Sequence, residues 1–83
     1  MTKEELIAFL RSIGVNKNSY SLNEGLKVNA LILDKLDGLW KCFYYDEKGN
    51  ETPLNYFKTE DEAYSYIKKY YLSDLEILGK TSF

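Results

Sequence analysis

The residues of this chain that could do chemistry are carboxylates, tyrosines and one thiol. Its 83 residues include 13 Asp+Glu, 11 Lys+Arg, eight Tyr, one Cys and no His. Without histidine the chain has no Ser-His-Asp or Cys-His arrangement, no imidazole base and no His metal ligand. Cys42 alone supports neither an internal disulfide nor a zinc site, and no EF-hand spacing is present. We therefore expect no enzyme, no catalytic residue, no metal and no cofactor.

The acidic residues gather at two places in the sequence. One group flanks a predicted turn and consists of Asp46, Glu47 and Glu51. The other opens a predicted helix and consists of Glu60, Asp61 and Glu62. One interpretation is an acidic surface that meets a basic partner. The other is a soluble turn and ordinary helix capping, because acids stabilise the N-terminal end of a helix.

Eight tyrosines are more than a core of this size can hide. They are Tyr20, Tyr44, Tyr45, Tyr56, Tyr64, Tyr66, Tyr70 and Tyr71. Tyrosine is enriched at protein interfaces, where it supplies contact area and a hydrogen bond. For Tyr66 and Tyr70 we favour a half-buried ring with a solvated hydroxyl. For Tyr45, Tyr64 and Tyr71, contact with a partner and a half-buried ring with a solvated hydroxyl are equally open.

Composition restricts the class of partner. A formal charge of -2 and a pI of about 5.1 leave no basic stripe for nucleic acid, so the aromatics are not predicted to stack on bases. No apolar run approaches the roughly 20 residues of a membrane span. The charged start MTKEEL does not read as a signal peptide. We expect one domain over residues 1–83, in the cytoplasm.

The first predicted element is a helix from about residue 3 to residue 13. Thr2 and Glu5 have the spacing of a capping box, and apolar residues follow at helical spacing. Gly14 is the expected left-handed stop. Residues 16–27 are rich in turn formers, and either a short strand at Ser19–Leu22 or an ordered loop fits them.

Three strands are predicted next, over Val28–Leu36, Leu39–Asp46 and Glu51–Lys58. Asp37-Gly38 is a strong hairpin signal between the first two. Because Pro53 cannot donate to a ladder, the third strand should be an edge or contain a bulge. The middle strand alternates Trp40, Cys42 and Tyr44 with Leu39, Lys41, Phe43 and Tyr45, and this period does not decide which set faces the core.

A second capped helix is predicted from Thr59 to about Leu72. The order of elements is therefore α-β-β-β-α. Both helices need an apolar surface to cover. This predicts a two-layer α+β domain with a three-stranded antiparallel sheet.

Several segments, in this order, resemble a family of small immunity proteins from bacterial polymorphic-toxin and contact-dependent growth inhibition systems. The resemblance begins with the acidic amphipathic first helix. It continues with NSYSLNEGL at 18–26, W-x-x-x-Y-Y-x-x-x-G-N at 40–50 and F-x-T-E-D-E-A-x-x-Y-I at 57–67. Together these segments cover most of the chain.

The resemblance implies a cytosolic toxin inhibitor that binds and neutralises the C-terminal domain of one cognate toxin. Many toxins of such systems are nucleases with basic clefts. The resemblance also implies that Leu26, Trp40 and Phe57 are scaffold residues. The predicted partner-binding residues are Tyr45, Asp46, Glu47, Glu51, Glu60, Asp61, Tyr64 and Tyr71. Free protein is expected as a monomer or weak dimer. Two alternatives stay open: a small antitoxin or phage-type inhibitor of another enzyme, and a regulatory module that self-associates through a strand edge.

Overall fold

The first helix of the protein ends where the sequence predicts. A computed structural model describes residues 1–81, with side chains through Ser73. Helix α1 spans Lys3–Ser12 and begins with the predicted Thr2–Glu5 capping box. Gly14 follows it with φ of 81°. The Val15 N–H then donates to the Leu10 carbonyl at 2.9 Å, which closes the last turn.

Four strands follow instead of the three predicted. A single 3₁₀ turn at Lys17–Ser19 leads into β1 (Tyr20–Leu22), and the others are β2 (Ala30–Leu36), β3 (Leu39–Tyr45) and β4 (Glu51–Phe57). Their order in the sheet is β1-β2-β3-β4. The three later strands pair antiparallel, which confirms that part of the prediction.

The expectation of a purely antiparallel sheet is wrong because β1 pairs parallel to β2. The connection over residues 23–29 brings the chain back to the start of β2 in only a few residues. Asn23 and Asn29 adopt left-handed φ values of 58° and 55° at its two ends. Asparagine tolerates this conformation, so the tight reversal is available to the sequence without glycine at either position.

The β2–β3 and β3–β4 connections are the predicted turns. Asp37 and Gly38 have φ of 49° and 81°, as a two-residue turn with two left-handed positions requires. Along β4 the pairing jumps from Cys42–Asn55 to Phe43–Pro53, which is the irregularity expected at an edge-strand proline.

Both helices cover one face of the sheet, and this settles which face of β3 is the core. Trp40 and Cys42 lie in the main core with Leu31 and Leu33 of β2. Leu6 and Leu10 from α1 join them, as do Ala63, Tyr64 and Ile67 from the second helix. Trp40 is 7% exposed, so its predicted burial is confirmed. The other sheet face carries no helix among the described residues, and we call it the open face.

The second helix, α2, spans Glu60–Thr81 and is longer than predicted. The predicted end near Leu72 rested on Lys68 and Lys69, because cations favour the C-terminal end of a helix, but they do not stop one. No Pro follows, and the first Gly comes only at Gly79. A second correction concerns Leu26, which was expected to be a scaffold residue and is 55% exposed.

Candidate partner-binding surfaces

Four of the predicted partner-binding residues lie together at the β3–β4 connection. This turn surface consists of Tyr45, Asp46, Glu47 and Glu51. Tyr45 is half-buried, and its hydroxyl oxygen lies 3.6 Å from the place a Cβ would take on Gly49. The ring therefore lies over the turn and is available to a partner on its open side.

Asp46 shapes this turn. Its Oδ1 accepts hydrogen bonds from the backbone N–H groups of Lys48 at 2.9 Å and Asn50 at 2.8 Å. The hydrogen bond from Asn50 is the main reason that the pKa of Asp46 is lowered. The carboxylate is thus held in its charged form by the same contacts that fix the turn.

Glu51 is partly neutralised by a neighbouring strand. Its Oε1 accepts from the Lys41 Nζ at 2.9 Å, and this hydrogen bond raises the pKa of Lys41. Glu47 is exposed and forms no ion pair with another side chain in the described part of the protein. The turn surface therefore has three carboxylates with Lys41 and Lys48 nearby, which leaves a modest negative excess.

The second acidic group lies at the N-terminal ends of both helices, which come together in space. The N-terminal amino group of Met1 is bonded to the Asp61 carboxylate. This helical pole gathers Glu4, Glu5, Glu24, Glu60, Asp61 and Glu62. Among the side chains that the structure describes, the cations paired with it are the Met1 amino group and Lys3, whose Nζ is 3.5 Å from a Glu24 oxygen. Its negative excess is larger than that of the turn surface.

Much of this acidity also supports folding. The Thr2 and Glu5 side chains cap each other's backbone N–H groups at 2.9 and 3.1 Å. The Glu62 N–H donates to the Thr59 hydroxyl at 3.2 Å at the start of α2. The Thr59 hydroxyl in turn donates to a Glu62 carboxylate oxygen at 3.2 Å, so the capping interpretation holds for the Glu62 side chain.

Tyr64 is a correction to the predicted surface. It is 2% exposed, and its hydroxyl donates to a Glu60 oxygen at 2.6 Å. Burial, together with this carboxylate, raises the pKa of Tyr64. The ring belongs to the core and cannot contact a partner without a rearrangement of the domain.

Tyr71 also lies closer to the core than predicted. It is half-buried, packs against the main core and meets the Tyr70 ring edge-on, with centroids 5.4 Å apart. Tyr66 and Phe57 continue this aromatic row, with centroids 5.1 Å apart. The half-burial predicted for Tyr66 and Tyr70 is confirmed, whereas the solvated hydroxyls stay a prediction.

The two acidic surfaces are not brought together. The seven residues of β4 separate them, which at about 3.3 Å per residue is roughly 20 Å. Glu4, Glu5 and Glu24 of the helical pole were not predicted from the sequence. The signal was present in α1, whose first turn is acidic, but only the packing of α1 beside α2 shows that both acidic starts share one end of the molecule.

The one thiol of the chain lies in the core, where it is not reactive. Cys42 is fully buried, and burial raises the pKa of its thiol to about 12, so the reactive thiolate is suppressed. No cluster of three or more Cys, Asp or Glu residues suited to a metal ion occurs in the described part of the chain. Neither described helix has the length and apolarity that a bilayer crossing demands.

Comparison with known proteins adds no relative. The chain matches no family model, no curated protein and no solved structure.

Proposed function

We propose that this protein is an immunity protein that binds a cognate bacterial toxin domain directly and neutralises it in the cytosol. The observation that carries the proposal is the helical pole, where six carboxylates face two cations in a chain of only -2 net charge. Such a concentration of charge attracts a basic partner and speeds its association. A basic nucleic-acid-binding cleft on the toxin domain is the complement we propose.

The turn surface supports the same function. Fixed carboxylates beside a half-buried tyrosine give a polar rim next to an aromatic contact, as protein interfaces commonly have. Asp46 is held in place by the turn, so its side chain loses its conformational entropy on folding and not on binding. Tyr45 supplies area at low entropy cost for the same reason.

Self-association through a strand edge is the less favoured alternative. On β4, Pro53 has no N–H, and the Tyr56 N–H is already bonded to the Asn55 side chain at 2.8 Å. On the other edge, β1 has three residues, and the Lys27 Nζ donates to the Tyr20 carbonyl at 3.2 Å. These features discourage strand pairing between copies, so we expect a monomer until the partner binds.

A small antitoxin or phage-type inhibitor would use the same surfaces on a different enzyme. The gene neighbourhood separates the two, because an immunity gene lies beside a large secreted protein with a variable C-terminal domain. The test is to purify the C-terminal domain encoded by the adjacent upstream reading frame, inactivated by mutation, and to measure its binding.

We expect a one-to-one complex in sedimentation experiments and rescue of growth when the active domain is co-expressed with this protein. The C-terminal domain of an unrelated toxin is the control and should neither bind nor be neutralised. Absence of binding at micromolar concentrations would remove the immunity function. Neutralisation of a different enzyme without toxin binding would favour the antitoxin alternative.

A further inference from the structure

The exposed hydrophobic residues are concentrated on one side of the protein. Within the described side chains, three of the seven exposed large hydrophobics belong to the open face, and two belong to the 23–29 connection, which Ser21 bonds from that face. These five are Leu26, Val28, Leu36, Leu39 and Tyr56, and the other two are Met1 and Tyr44. Concentration of exposed apolar area on one side marks an interaction surface more often than scattered residues do.

Strand register places three of them next to one another. Leu36 pairs with Leu39 across the β2–β3 hairpin, and Tyr56 pairs with Lys41 in the neighbouring row of the same face. Their exposed fractions are 55%, 44% and 53% respectively. We call Leu36, Leu39 and Tyr56 the open-face patch.

The centre of the same face is already shielded and gives the patch a rigid base. Ile32 and Phe43 are 0% and 2% exposed. The Lys41 Nζ lies 4.9 Å from the centre of the Phe43 ring. The Ser21 hydroxyl, which register places on this face opposite Ile32, donates to the Gly25 carbonyl at 2.7 Å and holds the 23–29 connection against it.

Charge surrounds the patch unevenly. The open face, its two turns and the residue after β4 carry five carboxylates against three lysines: Asp34, Asp37, Asp46, Glu47 and Glu51 against Lys41, Lys48 and Lys58. The complement of such a surface is an apolar patch bordered by Lys or Arg side chains. A second copy of this chain would instead bring one acidic rim against another.

We propose that the open face is the surface on which the partner docks, with Leu36, Leu39 and Tyr56 at its centre and the acidic rim facing cations of the partner. This inference rests on the proposed function and names the surface that performs it. The partner it fits is a basic protein domain with an apolar patch. The helices on the opposite side of the sheet take no part in the central contact, and the helical pole acts only through the long-range attraction of a basic partner.

The sharpest test uses two tyrosines on neighbouring strands that face opposite ways. Tyr56 points to the open face, whereas Tyr44 pairs with Leu31 on the helix-covered face and is 37% exposed. We expect Tyr56→Ala to weaken binding of the upstream-encoded toxin domain at least tenfold, mainly by faster dissociation. Tyr44→Ala is the matched control and should change affinity less than twofold.

A second variant, Leu36→Ser with Leu39→Ser, removes the apolar pair. It should also weaken binding of the toxin domain at least tenfold. Circular dichroism and thermal unfolding of each variant check that it remains folded. Amide hydrogen exchange of the complex should show new protection in the β2–β3 hairpin and β4.

The failures of the two proposals are distinguishable. Wild-type affinity in folded Tyr56→Ala and Leu36→Ser/Leu39→Ser would overturn the docking surface and leave the immunity function standing. Absence of binding by the wild-type protein would overturn both. If sedimentation showed a wild-type dimer that Leu36→Ser/Leu39→Ser abolished, a second copy would be the occupant and the inference would be wrong.

Discussion

The two faces of the sheet are built by the same strands and differ in what covers them. On the helix-covered face, Leu33, Trp40 and Cys42 are enclosed by α1 and α2. On the open face, the centre is shielded but Leu36 and Leu39 at the hairpin end are exposed. Alternate side chains of one strand therefore face either the helices or the open face.

This difference teaches that folding and binding can be separated in a small domain. The covered face needs close packing, because a core of this size has little apolar area to lose. The open face has apolar residues that the fold leaves solvated, and their burial remains available to a partner. Substitutions on the covered face should therefore change mainly stability, and substitutions on the open face mainly binding.

The largest effect should come from Trp40. We expect Trp40→Ala to destabilise the protein by roughly 3–5 kcal/mol, since it leaves a large cavity beneath the helices. Tyr56→Ala on the open face should cost under about 1 kcal/mol, as for other surface changes. Urea unfolding of both variants measures the contrast.

A protein of this size has a total stability of only about 5–10 kcal/mol, so Trp40→Ala could prevent folding altogether. Trp40→Phe is the milder variant and should give a smaller loss in the same direction. An unchanged unfolding midpoint in Trp40→Ala would contradict the assignment of the covered face as the core.

The next effect concerns the buried hydroxyl on the covered side. Tyr64→Phe removes the hydrogen bond to Glu60 and keeps the ring, so we expect a loss of about 1 kcal/mol. Because the folded state holds this pKa above its ordinary value, the contribution of Tyr64 is complete below about pH 10. It should decline as pH rises further. Equal stability of Tyr64→Phe and wild type at pH 7 would show that the hydrogen bond to Glu60 does not stabilise the protein.

Much of the fold could be predicted because its signals are local. The Thr2–Glu5 capping box, the Asp37-Gly38 turn and the proline on β4 each act through their own neighbours. The parallel strand β1 could not be predicted with the same means. Its three residues carry little periodicity, and its pairing depends on the left-handed Asn23 and Asn29, which only the closed connection selects.

The candidate site was predictable in composition but not in arrangement. The sequence identified acidic groups around Glu47 and Glu60, yet two helix starts meet at one pole only through packing. Tyr64 was indistinguishable from Tyr45 as a residue type, and its burial follows from its position beside Ile67 on the inner face of α2. The exposed Leu26 shows the converse, since an apolar side chain in a loop gives no sign of its burial.

Association rate should show an intermediate effect that compares the open face with the helices. Glu47→Lys with Glu51→Lys reverses two carboxylates at the rim of the proposed docking surface. Glu4→Lys with Asp61→Lys makes the same change of net charge at the helical pole. We expect the rim variant to slow association of the toxin domain several-fold more than the pole variant, since charges nearest the interface steer most.

Salt provides the control for this experiment. The Debye length falls from about 30 Å at 0.01 M to about 10 Å at 0.1 M, so the on-rate of the wild type should fall over that range. A salt-independent on-rate with tight binding would keep the immunity function and discard steering. A larger slowing in the pole variant would move the docking site to the helices and contradict the open face.

The smallest effect should be an acid-dependent one at the two ends of the molecule. Asp46 at the turn surface and Glu5 at the helical pole both have pKa values below their ordinary ones, because backbone N–H groups donate to them. A carboxylate with a lowered folded pKa stabilises the protein above its unfolded pKa of about 4. That contribution is lost as pH falls through the lower folded value.

We therefore expect Asp46→Asn and Glu5→Gln each to lower the unfolding midpoint slightly at pH 7 and to converge with wild type below pH 3. Both groups lie at the surface, so water and salt screen most of the gain and each difference should stay small. Asp46→Asn should leave the covered core as protected from hydrogen exchange as in wild type, because it loosens only the β3–β4 turn. Glu5→Gln should instead speed hydrogen exchange in the first turn of α1. A constant difference from wild type across pH 2–7 would show that the amide merely packs worse than the carboxylate. A difference that vanishes on acidification assigns the effect to the charge, and a loss of protection throughout the sheet in Asp46→Asn would contradict the separation of the open face from the core.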